Sequence, residues 1–181
     1  MPRLFFALPL HQLAPALIAW RERRPWPGLP VPEHNLHLTL AFLGEADEAT
    51  QARLIAAAGQ QRCPPFSVHL DQTGWFARAK AAWVGPSEWP NELNVLARAL
   101  RRHGEKLGLG NGEQGYRPHV TLSRKAGEAP GELPAPDFLL RADRFCLYQS
   151  VSTPDGVHYE PLACWPLRAR VKNPHREELT P

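Results

Sequence analysis

His37-Leu38-Thr39-Leu40 and His119-Val120-Thr121-Leu122 share one pattern, His-x-Thr-x, with an apolar residue at each x. Both lie in runs that read as β-strands, Asn35 to Leu43 and Pro118 to Arg124. Side chains alternate along a strand. Each His therefore shares a face with its Thr, while the apolar neighbours point the other way into a core. One such tetrapeptide means little, because a histidine on an edge strand is usually incidental. Two copies with matching apolar positions point to a shared site. Two halves packed about a pseudo-twofold axis would bring two imidazoles and two hydroxyls around one small anion.

The surroundings repeat as well. Arg3 to Leu8 is an apolar strand, and His11 to Arg24 has near-helical apolar spacing at Leu13, Leu17, Ile18 and Trp20. Pro25 to Pro32 is a proline-rich loop. Gly44 is expected to stop the first motif strand, and Asp47 to Ala58 reads as a helix followed by Gly59. Phe66 to Phe76 reads as extended and Ala81 to Val84 as a short strand. Asn91 to Leu107 is the strongest helix, with Leu93, Leu96, Leu100 and Leu107 on one face and Gly108 after it. A glycine-rich loop then leads into the second motif strand. Gly127 to Pro136 is a loop, and two last strands are expected over Asp137 to Ser150 and Val157 to Leu167. No glycine-rich phosphate loop joins a strand to a helix, which removes the usual nucleoside-triphosphate signal.

At 181 residues the chain suits one domain or two small lobes sharing a core, here residues 1–168, with a polar tail over 169–181. Hydrophobic residues make up 43% and charged residues 22%, a globular composition. The net charge of +3 and a pI of about 9.0 fit an anionic substrate without dense basic runs. No apolar run approaches a membrane span, and no signal peptide is expected from the first residues. Cys63, Cys146 and Cys164 are scattered and odd in number, so the expectation is reduced thiols in a cytoplasmic protein. The 20 prolines fall mostly between periodic segments. No long apolar stripe is left over, so a monomer is expected.

Zinc was weighed against this reading. His37 and His119 lack a close third His, Cys or acid at a recognisable spacing, so no metal and no cofactor is expected. Phe42 and Arg124 stand at the same offset, five residues after each motif histidine. An aromatic face and a guanidinium there would hold a base between them. An odd offset points the wrong way on a regular strand, so each strand must end or bulge first. His11, His34, His69, His103, His158 and His175 follow no motif. Tyr148 and Tyr159 read as core or cleft wall, and Trp75, Trp83 and Trp89 as packing residues.

At these residues the chain resembles the 2H phosphoesterase superfamily, and within it the RNA 2′,3′-cyclic phosphodiesterases, also called 2′-5′ RNA ligases. The resemblance extends to Arg3-Leu4-Phe5-Phe6-Ala7-Leu8, to His37 through Gly44, to Arg117 through Arg124, and to Leu147-Tyr148-Gln149-Ser150 and Tyr159-Glu160-Pro161-Leu162. It implies an α+β, bilobal pseudo-twofold fold, with antiparallel sheets lining a central cleft and helices outside. It implies metal-independent hydrolysis of RNA 2′,3′-cyclic phosphate ends to 2′-phosphates. Carried over by position, His37 is the proton donor, His119 the proton acceptor, and Thr39 and Thr121 phosphate ligands; the resemblance also favours Phe42 and Arg124 as substrate-binding residues. Partners would be RNA 3′ ends, nucleoside 2′,3′-cyclic phosphates or tRNA halves. In-line displacement puts attacking and leaving oxygens on opposite sides of phosphorus, and two facing imidazoles titrating near neutrality suit that demand. Threonine hydroxyls would donate to the non-bridging oxygens, where charge gathers. Two other readings use the same cleft: cleavage or ligation of 2′-5′ linkages, and a non-catalytic RNA-end binding module. The completeness of both motifs argues against the latter.

Overall fold

The computed structural model describes residues 1–110, 112 and 115–169. In chain order its elements are β1 (Arg3–Pro9), α1 (Ala14–Glu22), β2 (Leu29–Pro30), a 3₁₀ turn (Glu33–Asn35), β3 (His37–Glu45), α2 (Glu48–Gly59), β4 (Phe66–Leu70), β5 (Gln72–Phe76), β6 (Ala81–Gly85), α3 (Asn91–Glu105), β7 (Val120–Arg124), β8 (Phe138–Ala142), β9 (Arg144–Thr153) and β10 (Gly156–Pro166). The fold is α+β with antiparallel sheets, as expected. One sheet runs β10-β9-β1-β3-β7-β6-β5, with β2 also pairing β7, and β4 and β8 form a separate two-stranded sheet.

Burial explains this order. Leu4 to Leu8 are buried on both faces, which suits β1 to the interior of the sheet. α3 buries Leu93, Leu96, Ala97, Leu100 and Gly104, the three-and-four spacing of one helical face, and packs against β3. α2 starts where the Asp47 carboxylate accepts the Thr50 N–H at 2.8 Å, filling one of the helix's unpaired donors. α1 starts at Ala14 rather than His11. Pro15 has no N–H to lose in a first turn, and Leu10 O already accepts from Leu13 and Ala14.

The two motif strands meet at the centre of the sheet. β3 and β7 share one paired position, Leu38 with Val120, and then diverge. β2 takes over beside β7, pairing with Ser123 and Arg124. Each motif strand belongs to a strand–helix–strand passage, β1-α1-β3 or β6-α3-β7, and each helix reaches into the other passage. α3 packs on β3, and Arg21 of α1 donates to Leu122 O of β7 at 3.0 Å and to Val31 O at 2.7 Å. That buried guanidinium is satisfied by main-chain carbonyls, without a carboxylate partner among the bonds seen.

Several boundaries differ from the sequence reading. The extended stretch Phe66 to Phe76 is two strands in two sheets. β4 pairs β8 and β5 pairs β6, with the change at Asp71, whose carboxylate accepts from Ser87 N–H. Asp137 to Ser150 likewise divides at Asp143 into β8 and β9. Gly44 does not end β3. It takes φ +84° inside the strand, beside a register shift against β1, and the strand continues to Glu45.

The cysteines also need correcting. Cys146 and Cys164 stand opposite each other on β9 and β10 and form a disulfide, so only Cys63 is a free, buried thiol. Burial pushes the Cys63 thiol above its usual range. The expected tail lies outside the described residues after position 169. Among the described residues no helix is long and apolar enough to cross a membrane.

Candidate active site

The single shared position on β3 and β7 decides how the motifs face each other. Leu38 and Val120 are fully buried. Alternation then turns His37, Thr39, His119 and Thr121 to the opposite face. Antiparallel pairing sets His37 towards Thr121 and Thr39 towards His119. The two halves are thus related by a local twofold between Leu38 and Val120. Both histidines and Thr121 are half-buried, whereas Thr39 is 8% exposed.

The imidazoles are held in matching ways. His37 Nδ1 donates to Asn35 O at 2.7 Å, and His119 Nδ1 donates to Arg117 O at 2.9 Å. A carbonyl can only accept, so each ring carries a proton on Nδ1. Nε2 is left as the nitrogen that gains or loses the second proton. Each ring also leans on a phenylalanine, His37 on Phe5 and His119 on Phe76, with both centroid separations 4.8 Å. Tyr159 meets His37 edge-on at 5.1 Å. Burial lowers the His37 pKa to about 4. The Asn35 carbonyl opposes that shift, while the charges of Arg124 and His119 add to it. His37 is therefore neutral at pH 7. The contributions of Arg124 and His119 also place both groups within electrostatic reach of His37.

Phe42 and Arg124 reach this face because both motif strands bulge at the same place. In β3 the register against β1 shifts between Thr39 and Ala41, leaving Leu40 as the extra residue. In β7 the register against β6 shifts between Thr121 and Ser123, leaving Leu122 extra. One extra residue turns every later side chain to the other face. The bulge that the odd offset required is present twice, at the fourth residue of each motif. Phe42 is 49% exposed and its ring lies 6.2 Å from that of Phe5. Arg124 Nη2 donates to Tyr159 Oη at 3.4 Å.

Phe42 stands between two compartments. One is lined by His37, Phe5, Arg124 and Tyr159, and the other by His119, Thr39, Tyr116 and Arg117. Tyr116 donates to Thr39 O at 3.0 Å, and burial raises its pKa well above the usual tyrosine range. Arg117 lies 5.0 Å over the Trp83 ring, which packs towards His119. Gly74 makes this possible, since a side chain there would collide with the Trp83 ring. Among the described residues no group of three or more His, Cys, Asp or Glu is arranged to hold a metal ion.

This geometry matches a known group of proteins. The profile described as the 2′-5′ RNA ligase superfamily matches residues 9–153. The chain belongs to that superfamily. A member from Escherichia coli (strain K12), named RNA 2′,3′-cyclic phosphodiesterase, is 37% identical over 170 residues, covering 91% of this chain and 96% of the relative. One of the same name from Thermus thermophilus is 34% identical over 182 residues, covering 92% and 90%. The crystal structure of E. coli LigT complexed with 3′-AMP superposes with a TM-score of 0.86 at 36% identity, covering 92% of this chain and 99% of that one.

The sequence pattern singles out six candidate positions and gives no sign of the aromatic residues packed against the two histidines. Phe5 and Phe76 back the imidazoles from neighbouring strands, and nothing in the His-x-Thr-x pattern indicates them. Asn35 did leave a trace. It stands two residues before His37, as Arg117 stands two before His119, and both supply the carbonyl that orients a ring. Tyr159, expected as core or cleft wall, is cleft wall.

Proposed function

We propose that this protein hydrolyses the 2′,3′-cyclic phosphate at RNA 3′ ends to a 2′-phosphate, using the two histidines as acid and base and requiring no metal. The observation that carries the proposal is the antiparallel meeting of two His-x-Thr-x strands at Leu38 and Val120, which supports a site with one imidazole and one hydroxyl from each strand around a single phosphate. Thr39 and Thr121 donate to the non-bridging oxygens. The terminal base rests against Phe42 and Arg124. His119 takes the proton from water, and His37 gives one to the departing 3′-oxygen.

The low pKa of His37 bears on the roles. A donor must carry its proton, and burial with Arg124 and His119 nearby disfavours that proton. A bound cyclic phosphate brings a negative charge that favours the imidazolium. In this scheme the substrate's own charge arms the donor. The depressed pKa favours a second reading in which the roles are exchanged, with neutral His37 as the base.

The same experiment covers both. Wild-type protein is expected to open a nucleoside 2′,3′-cyclic phosphate in EDTA, and His37→Ala or His119→Ala should each lose at least about 10²-fold in rate. On an aryl phosphodiester, whose leaving group needs no proton, the variant lacking the acid recovers and the variant lacking the base does not. Recovery of His119→Ala instead of His37→Ala exchanges the roles. Activity that appears only with added metal rules the mechanism out.

RNA ends are the proposed partners, tRNA halves among them, with the protein monomeric and cytoplasmic and residues 1–168 acting as one bilobal domain. Cleavage or ligation of 2′-5′ linkages would use the same four groups, and product analysis on both linkages separates it.

A further inference from the structure

We infer that a second anion site lies along α3, where Arg98 and Arg101 receive the phosphodiester backbone of the RNA 5′ to the cyclic end. The inference rests on the proposed function and adds where the RNA upstream of the cyclic end is held.

The compartment holding His119 and Thr39 does not close behind them. It runs into a second cleft, and Leu40, Arg101, Gly115 and Tyr116 line both. The far wall of this second cleft is the polar stripe of α3. Asn91, Asn94, Arg98 and Arg101 follow one another at three- and four-residue steps, so they share one face of the helix. Leu93, Leu96 and Leu100 are buried in the core on the other side of the helix, and Ala97 forms the floor between them and the stripe, which fixes the direction the stripe faces. Arg98 is exposed. Arg101 lies partly beneath the surface, with Nε 3.4 Å from Glu105 Oε1. Glu105 is the one acidic residue lining either cleft among the described residues, and it stands on Arg101.

The path follows from what is already occupied. The base of the terminal nucleotide takes the compartment of Phe5, Phe42, Arg124 and Tyr159, and its cyclic phosphate takes the gap between the histidines. The chain leaving the 5′-oxygen must exit elsewhere, and the cleft along α3 borders the His119 compartment through Leu40, Arg101, Gly115 and Tyr116. Each linkage carries one negative charge and two non-bridging oxygens. Guanidinium groups one helical turn apart match such a repeat, and the asparagine amides add neutral donors.

The test compares a nucleoside 2′,3′-cyclic phosphate with a tetranucleotide ending in the same cyclic nucleotide. Wild-type kcat/KM should be about tenfold or more higher for the tetranucleotide, as expected for charge-assisted bonds to phosphate, and this gain should shrink as salt rises. Arg98→Gln alone should reduce the gain and leave the mononucleotide rate unchanged, and Arg98→Gln with Arg101→Gln should abolish the gain. Equal wild-type rates on the two substrates, or a gain that survives in the double variant, overturns the inference. If neither substrate turns over, the proposed hydrolysis fails, and the groove is then judged by binding alone. A 5′-labelled tetranucleotide ending in a 2′-phosphate should bind the wild type about tenfold more tightly than the double variant, and equal binding sinks the groove.

Discussion

His37 carries the sharpest consequence at the scale of single residues. Its ordinary pKa is 6.5, and in the folded site it is about 4. Between these values the unfolded chain binds a proton that the folded chain refuses. Lowering the pH through that window therefore favours unfolding, and above pH 6.5 the residue has no such effect. Chemical denaturation at pH 7.5, 5.5 and 4.5 should show His37→Asn gaining on the wild type as the pH falls, by no more than about 3 kcal/mol at the lowest value. A difference between the two proteins that stays constant with pH would mean that His37 is not held neutral. The six residues proposed for the site were legible as candidates because chemistry at a phosphate would need particular side chains at a particular spacing. Their supports were not, because Phe5, Phe76 and Tyr159 act by shape, and many sequences provide shape.

Among the elements, β10 is held from both sides. β9 pairs along one edge. On the other, the Asn35 side chain donates from Nδ2 to Val157 O at 2.6 Å and accepts the Tyr159 N–H at 3.1 Å through Oδ1. Asn35 is 6% exposed, and its own carbonyl orients His37. The residue is thus a positioning residue that ties an outer strand to the tautomer of an imidazole. Asn35→Leu should strip partners from two main-chain groups and cost about 1–3 kcal/mol in denaturant stability. kcat should fall more than KM changes, since Tyr159 and the ring lose their alignment together. Asn35→Asp keeps the Tyr159 bond and loses the Val157 bond, so it should fall between. A kcat equal to wild type in Asn35→Leu would reduce Asn35 to a structural role.

Element boundaries show where sequence reading stops. The apolar alternation of Phe66, Val68 and Leu70 fades after Asp71 into Gln72, Thr73 and Gly74, yet the run carries no proline or turn pair, so the passage from one sheet to another reads as one extended stretch. The Cys146–Cys164 bond was hidden for a similar reason. The cysteines are 18 residues apart in the chain, and only the β9–β10 register brings them opposite. The bulges were legible as a requirement, because an odd offset and a shared face cannot both hold on a regular strand.

For the whole molecule, the chain path matters more than any single contact. His37 sits among β1, β3, β9 and β10, from early and late stretches of the described chain, whereas His119 sits beside β5, β6 and β7 from its middle, with β2 crossing over to pair β7. The helices are exchanged between the halves, so neither can bury its core alone. Denaturation followed separately by the Trp83 side and by the Trp165 side should give one coincident transition, while two transitions would mean that the lobes unfold independently. The same path has a consequence for translation. A nascent or prematurely ended chain can display both His-x-Thr-x tetrapeptides and still lack β9 and β10, and with them Tyr159 and the partners of the Asn35 side chain. The last two described strands thus complete the wall around the first histidine only after both tetrapeptides have been made.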